Sequence, residues 1–157
     1  MRIALGSDHA GINLKDGLKR ALNTATSVDN SLYTVIDVGT HNEDSVDYPE
    51  FALKVAEGVA TKTFDRGILV CGSGIGMSIT ANKVAGVRAA LIHDVDNARL
   101  CREHNDANII ALAGRTLDTD TAMSIVKVFL ETNFEGGRHQ RRLQRITEIE
   151  QNPKGRP

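Results

Sequence analysis

Tryptophan is absent from the chain, and aromatic residues make up only 4% of its 157 residues. So few aromatic side chains argue against a surface on which nucleic-acid bases stack. Basic residues are not in excess either, since 19 Lys and Arg stand against 20 Asp and Glu, for a formal net charge of −1. Dedicated nucleic-acid binders usually carry a large positive charge. The sequence therefore predicts no nucleic-acid partner.

Long apolar runs are also missing. None approaches the roughly 20 residues of a membrane span, and the short apolar start that ends at Leu5 cannot serve as a signal-peptide core. We expect no membrane partner and a cytoplasmic protein. The two cysteines, Cys71 and Cys101, lie 30 residues apart, which excludes a disulfide scaffold and the usual zinc spacings. We expect no metal, one domain over residues 1–150, and a tail at 151–157 without functional signal.

Short apolar runs alternate with longer amphipathic segments. Five buried strands are predicted at 2–6, 33–38, 67–71, 87–92 and 108–112. Helices are predicted at 11–22, 50–62, from the end of a glycine loop to about 83, and at 94–103, 118–131 and 138–150, with a polar loop at 23–32. This alternation predicts a three-layer α/β sandwich around a five-stranded parallel, flavodoxin-like or Rossmann-like sheet, followed by a C-terminal helix.

A glycine loop follows the third strand, in Cys71-Gly72-Ser73-Gly74-Ile75-Gly76. Such a loop before a helix brings backbone N–H groups together, where they can hold a phosphate or a developing oxyanion. A tight turn without a ligand is the alternative. A dinucleotide-binding site is a further, weaker alternative. The glycine spacing differs from the Rossmann fingerprint, and the loop follows the third strand instead of the first. Cys71 itself is either a small buried hydrophobe or a reactive thiolate.

Other polar residues end the predicted strands, where ligands bind in such sheets. Asp8 and His9 follow the first strand. Asp8 is a candidate cap for the next helix, and His9 beside it is a candidate to contact a ligand. Arg115 follows the fifth strand and is a candidate to bind phosphate. His104 lies between the fourth helix and the fifth strand, and the alternative to a functional role is a helix C-terminus, where histidine is common. That end of the helix faces the opposite, amino-terminal edge of its own sheet. If His104 is functional, it reaches the site of a neighbouring subunit, which predicts a dimer with shared sites.

The strongest charge feature is residues 136–145, which hold four arginines and no acidic residue. Arg138 and Arg142 are four residues apart and share one helix face, so their guanidinium groups suit a phosphate. A solvated basic face is the alternative. Together with a thiol, an imidazole, a carboxylate and oxyanion donors, these residues indicate proton transfer on a phosphorylated small molecule without a cofactor.

The motifs resemble the family of type B ribose-5-phosphate isomerases, which also holds galactose-6-phosphate isomerase subunits. The matching stretches occur in family order and span nearly the whole chain, to about residue 149. They are 6–11, 46–49, 71–78, 81–83, 87–90, 104–108 and 136–139. The resemblance implies interconversion of D-ribose 5-phosphate and D-ribulose 5-phosphate through an enediolate, as part of the non-oxidative pentose phosphate pathway. It also implies metal independence and a homodimer, or a tetramer, with sites at the dimer interface.

The resemblance also assigns roles to residues. Cys71 matches the catalytic base, and its pairing with Met77 is typical of the cysteine branch of the family. His104 matches the residue that opens the furanose ring, with Asp8 on the ring-oxygen side, and Ser73 is a candidate proton relay. The remaining matches are to the oxyanion hole (Gly72, Ser73, Gly74, Ile75 and Gly76), to substrate contacts (Tyr48 and Asn105) and to the phosphate-binding set (His9, Arg115, Arg138 and Arg142).

Two departures from the family pattern stand out. The loop at 23–32 is longer than usual, and Asp106 replaces a common second asparagine. Two other functions stay open beside the pentose phosphate isomerase. One is isomerisation of a six-carbon sugar phosphate, such as allose or galactose 6-phosphate, and the other is a non-catalytic nucleotide- or phosphosugar-binding domain.

Overall fold

A parallel sheet forms the centre of the computed structural model, which describes residues 1–25 and 33–152. Within those residues its strands are β1 (Arg2–Ser7), β2 (Thr34–Asp37), β3 (Arg66–Cys71), β4 (Ala89–Leu91) and β5 (Ile109–Ala113). Neighbouring strands all pair in parallel, in the order β2-β1-β3-β5-β4. Most strand residues are buried because helices cover both faces of the sheet.

Two layers of helices enclose the sheet. They are formed by α1 (Ile12–Thr24), α2 (Tyr48–Ala60), α3 (Ile75–Ala81), α4 (Val95–Asn105) and α5 (Thr119–Glu131), and the C-terminal helix α6 (Arg138–Gln151) packs on α4. Apolar side chains of α1, α4 and α5 pack with Ile3 and Leu5 on one face. Those of α2 and α3 pack with Ala4 on the other face, as the alternation of side chains along a strand requires. The predicted three-layer sandwich is confirmed.

The strand order departs from the flavodoxin-like expectation at one edge. The first three strands have that order, but β5 lies between β3 and β4 instead of outside β4. Length and apolar content account for the exchange, because β5 has five apolar residues, all buried in the interior position, whereas β4 has only three residues, half-buried at the edge. The longer and more apolar strand takes the interior position, and the short one takes the edge.

Boundaries shift by a few residues elsewhere. Asn23 and Thr24, expected in a loop, extend α1, and the rest of that loop from 26 to 32 lies outside the described residues. Gln151, expected in the tail, ends α6, and residues 153–157 also lie outside the described part. The domain limits stay a prediction. No helix in the described ranges is long and apolar enough to cross a membrane, and the cytoplasmic location stays a prediction.

The register of the sheet aligns the carboxyl ends of its three central strands. Ser7 at the end of β1 pairs with Val70, and Cys71 at the end of β3 pairs with Ala113. Backbone hydrogen bonds continue this alignment past the strands, since the Gly114 N–H donates to the Cys71 carbonyl at 2.8 Å. The residues that follow the three strands therefore meet at one edge.

Candidate active site

Cys71 lies at the centre of that edge. The side chain ends β3 and is only 5% exposed. Its Sγ accepts a hydrogen bond from the backbone N–H of Gly74 at 3.1 Å. Gly74 has a φ of +75°, a left-handed conformation that favours glycine, and it directly precedes α3. The loop thus folds back so that an N–H donor points at the sulfur atom, an arrangement suited to a negatively charged sulfur.

Two of the predicted substrate-binding side chains pack directly on the glycine loop. A Cβ atom at Gly76 would lie 2.5 Å from Cζ of Tyr48, and one at Gly72 would lie 3.1 Å from Cζ of Arg115. A side chain at Gly76 would force the phenol ring to move, and one at Gly72 would require a shift of the guanidinium group by a few tenths of an ångström. Ser73 in the same loop is exposed, and its Oγ accepts from the Ile75 N–H at 3.4 Å.

Asp8 and His9 begin the turn after β1 and face the same edge. Asp8 is 6% exposed, and its Oδ1 accepts from the Gly11 N–H at 3.0 Å, so the capping role is present. The Val46 N–H donates to Nδ1 of His9 at 3.2 Å. A neutral His9 ring therefore carries its proton on Nε2, which leaves that N–H available to a ligand.

These residues form one group, which we call the carboxyl-edge cluster. Each member follows the end of a central strand or, like Tyr48, packs on the glycine loop. The cluster combines a buried thiol, backbone donors, a carboxylate and a cation, which suits proton transfer beside an anionic group. Its members are Asp8, His9, Tyr48, Cys71, Gly72, Ser73, Gly74, Ile75, Gly76 and Arg115.

The other predicted site residues lie at the opposite edge of the sheet. His104 and Asn105 end α4, and the Asn105 carbonyl accepts from Nε of Arg88, which directly precedes β4, at 2.9 Å. Arg138 and Arg142 are exposed on α6. We call His104, Asn105, Arg138, His139 and Arg142 the amino-edge cluster. Because β5 alone spans roughly 16 Å, a single chain does not bring the two clusters together, as the sequence predicts for His104.

Asp106 holds the turn that follows Asn105. Its φ of 44° ends α4 in a left-handed conformation. One carboxylate oxygen accepts from Arg88 at 2.8 Å and the other accepts from Arg102 at 2.7 Å. An asparagine has only one acceptor oxygen and could not bind both arginines in this way. The departure from the family pattern therefore has a structural role at the amino edge.

His139 is the residue that sequence reasoning missed. It is 4% exposed, and its ring stacks on that of His104 with centroids 4.2 Å apart and an interplanar angle of 5°. Burial, followed by the nearby His104 and Arg138, lowers the pKa of His139. The signal for His139 in the sequence is its place beside Arg138 in the motif at 136–139, where the surrounding arginines favour an interpretation as a charged surface.

His139 also belongs to a group of possible metal ligands. Ligand atoms of His104, Glu135 and His139 lie within 4.8 Å of one another. Because the two imidazole rings are parallel, the lone pairs of their nitrogen atoms lie in two parallel planes and do not converge on one ion. Nε2 of His139 also accepts from Nε of Arg138 at 3.2 Å. The geometry of these three residues favours a stacked pair over a metal centre.

The second cysteine differs from the first. Cys101 lies within α4, and its Sγ donates to the Ala98 carbonyl at 3.2 Å. Burial raises the pKa of the Cys101 thiol to about 11. A thiol with so high a pKa remains protonated at neutral pH, which indicates a structural role for Cys101.

The sequence profile of the Ribose/Galactose Isomerase family matches residues 3–146. The chain belongs to this family. The ribose-5-phosphate isomerase B of Escherichia coli is 43% identical over 150 residues, covering 96% of this chain and 97% of the relative. The chain is therefore an isomerase, and its family confirms the resemblance carried by the sequence motifs.

Solved structures agree with this assignment. The chain superimposes on ribose-5-phosphate isomerase B of Clostridium thermocellum with a TM-score of 0.91 and 49% identity, covering 98% of this chain and 100% of that one. The Mycoplasma genitalium ribose-5-phosphate isomerase B, solved with bound ribulose-5-phosphate, has a TM-score of 0.87 and 40% identity, with 96% of each chain covered.

Proposed function

We propose that the chain interconverts D-ribose 5-phosphate and D-ribulose 5-phosphate, a step of the non-oxidative pentose phosphate pathway. The observation that carries the proposal is the buried Cys71 sulfur, which faces the N–H of Gly74 while Tyr48 and Arg115 pack on the same loop. The choice of substrate is supported by the relatives named ribose-5-phosphate isomerase B, which are 40–49% identical over most of the chain.

The proposed chemistry moves one proton between two adjacent carbons. The thiolate of Cys71 removes the C-2 proton of the open-chain aldose, and the electron pair of that bond moves onto the carbonyl to give an enediolate. The thiol then returns the proton to C-1, which gives the ketose, while Ser73 relays a proton between the two oxygens. Because electrons only shift within the sugar, the step needs no external oxidant or reductant, and the resemblance to the family implies that it proceeds without a metal.

Stabilisation of the enediolate comes from the glycine loop in this proposal. N–H groups of Gly72, Ser73, Gly74, Ile75 and Gly76 are the candidate donors to the developing oxyanion. Those of Gly74 and Ile75 donate to Cys71 Sγ and Ser73 Oγ in the structure, so they would exchange these acceptors for the oxyanion. A single donor of this kind typically contributes about 3 kcal/mol to transition-state stabilisation. The Nε2–H of His9 and the guanidinium group of Arg115 bind the phosphate, which anchors the substrate away from its reacting carbons.

Ring opening requires the amino-edge cluster. His104 acts on the furanose with Asp8 on the ring-oxygen side, Asn105 joins Tyr48 in contacting the sugar, and Arg138 and Arg142 complete the phosphate-binding set. Since one chain separates the two clusters, we propose a homodimer in which each protomer completes the site of its partner. A tetramer built from two such dimers fits the same requirement.

Exposed apolar side chains support an association between copies. Ile75 and Ile79 on α3 are 51% and 57% exposed, and Ile146 and Ile149 on α6 are 42% and 64% exposed. On α3, Ile75 belongs to the carboxyl-edge cluster and Ile79 lies one turn further along the helix, and on α6 Ile146 and Ile149 follow the amino-edge arginines. Large apolar side chains this exposed at both clusters are candidates to be covered by a second copy of the chain.

A six-carbon sugar phosphate is the second candidate substrate. The family description includes galactose isomerases, and a Bacillus subtilis relative, 45% identical over 152 residues, carries only a provisional name as a sugar phosphate isomerase. Family membership sets aside the third possibility, a non-catalytic binding domain.

The decisive experiment measures isomerisation of ribose 5-phosphate by purified protein in excess EDTA, with allose 6-phosphate assayed in parallel. Rapid conversion of the pentose with little conversion of the hexose supports the proposal, including its independence of a labile metal. Preferential conversion of allose 6-phosphate would replace it with the six-carbon alternative. Activity that EDTA abolishes and added divalent metal restores would contradict the metal-free mechanism.

A further inference from the structure

We propose that His139 is a positioning residue that holds two functional groups at once: the His104 ring by stacking, and the Arg138 guanidinium by a hydrogen bond. The inference rests on the proposed function, in which His104 opens the sugar ring and Arg138 binds phosphate. His139 itself acts through these two neighbours.

The stack joins two helices. His104 belongs to the last turn of α4, and His139 lies in the first turn of α6. Their rings are nearly parallel, at 5°, with centroids 4.2 Å apart. His139 is buried whereas His104 is partly exposed, so the buried ring is the fixed platform and the exposed ring is the one whose orientation it restricts. An imidazole that must reach a substrate loses less conformational entropy when it is held in place beforehand.

The hydrogen bond fixes the arginine. Nε of Arg138 donates to Nε2 of His139 at 3.2 Å. A neutral His139 that accepts at Nε2 carries its proton on Nδ1. Because the bond uses only Nε, the terminal N–H groups of Arg138 stay available for the two parallel hydrogen bonds that a phosphate accepts. An exposed arginine would otherwise sample many rotamers, which a ligand must restrict on binding.

The acceptor role requires a neutral ring. A protonated His139 would direct an N–H at the N–H of Arg138 and would add a third positive charge beside Arg138 and Arg142. Glu135 is the acidic group that faces the ring, with its Oε2 at 3.7 Å from Nε2. Burial and the adjacent cations outweigh Glu135, and they lower the pKa of His139. The structure therefore keeps His139 in the form that can accept from Arg138.

Two substitutions separate the two roles. His139→Phe keeps a planar ring beneath His104 and removes the acceptor for Arg138. We expect KM for ribose 5-phosphate and for ribulose 5-phosphate to rise roughly tenfold, with kcat little changed. A tenfold rise corresponds to the loss of one hydrogen bond to a charged group. His139→Gln keeps an acceptor and removes the ring. In D2O, the His139→Gln variant should lose more net isomerisation than deuterium exchange at C-1 of ribulose 5-phosphate. Ribulose 5-phosphate is an open-chain sugar, so exchange at its C-1 needs no ring opening. Gln140→Ala, a change at the exposed neighbouring residue, is the matched control.

Double-mutant cycles test whether His139 acts through its neighbours. In an Arg138→Ala background, His139→Phe should have no further effect on KM, because contacting residues that act as a unit are not additive. In a His104→Asn background, His139→Gln should leave the ratio of exchange to isomerisation unchanged. Fully additive effects, or single variants that match Gln140→Ala, would overturn the proposal.

An NMR measurement on the wild-type protein separates this inference from the proposed function. Nitrogen shifts should identify a neutral His139 protonated on Nδ1, and the His104 ring protons should show the upfield shift caused by a stacked ring. A His139 protonated on Nε2, or unshifted His104 signals, would overturn the positioning role whatever the substrate. These signals together with an absence of turnover on ribose 5-phosphate would instead count against the proposed function alone.

Discussion

The two clusters of the candidate site are built in different ways. At the carboxyl edge the backbone does most of the positioning: strand register aligns Ser7 and Cys71, and a left-handed Gly74 directs its N–H at the sulfur. At the amino edge side chains position one another, through the stack of His104 on His139 and the arginines that bind Asp106. The backbone-built cluster suits the step that needs the most accurate geometry, and the side-chain-built cluster suits a contribution made to another protomer.

Removing the thiol is the most severe test of the carboxyl-edge cluster. We expect Cys71→Ala to lower kcat by roughly 10³-fold, the range typical of a lost general base. Binding of ribose 5-phosphate, measured by calorimetry, should change little because the phosphate-binding groups remain. Cys101→Ala is the matched control, since that buried thiol has no proposed role in catalysis. Near-normal turnover by Cys71→Ala would exclude Cys71 as the base.

Replacing the exposed ring of the stack tests whether the two edges serve different steps. His104→Asn should lower net isomerisation by roughly 10²-fold, as expected for a lost acid or base. Deuterium exchange at C-1 of ribulose 5-phosphate should fall much less, because in the proposed mechanism Cys71 carries it out on an open-chain sugar. Both rates can be followed by proton NMR in one sample. An equal loss of exchange and isomerisation would show that the amino edge takes part in proton transfer itself.

Part of this division can be predicted from the sequence. Strand-end positions and the glycine loop place Cys71, Asp8 and Arg115 at one edge because backbone geometry follows from local patterns. The position of His104 at the other edge follows equally from the direction of α4. Both inferences depend only on where strands and helices begin and end.

Other features depend on tertiary packing that local patterns do not specify. The order of β4 and β5 is one such feature, because which strand takes the buried interior position is determined only when the whole sheet packs. The stack of His139 on His104 depends on how α6 packs against α4. Because the segment around His139 is rich in arginine, its sequence predicts an exposed surface and gives no sign that this ring is buried. The dimer, which no contact within one chain can specify, stays a prediction.

Mixing two inactive variants tests whether the clusters combine across protomers. Cys71→Ala and His104→Asn subunits, unfolded and refolded together, should form heterodimers that contain one doubly defective site and one intact site. With random pairing, about a quarter of wild-type activity should return, because half of the dimers carry one of two sites intact. Each variant refolded alone is the control. A mixture no more active than its components, at a mass that sedimentation shows to be dimeric, would contradict shared sites.

The smallest expected effect concerns the support of the amino edge. Asp106→Asn leaves one acceptor oxygen for two arginines, so the free energy of unfolding should fall by about 1–2 kcal/mol. Asp96→Asn is the matched control, because Asp96 pairs with Arg99 at 3.1 Å on an exposed surface, with 82% of its side chain accessible, where ion pairs contribute little. Denaturant unfolding measures both changes. If Asp106 supports the His104 turn, the Asp106→Asn variant should also lose more net isomerisation than deuterium exchange at C-1. Equal stability and activity of the Asp106→Asn and Asp96→Asn variants would show that backbone contacts alone hold the amino edge.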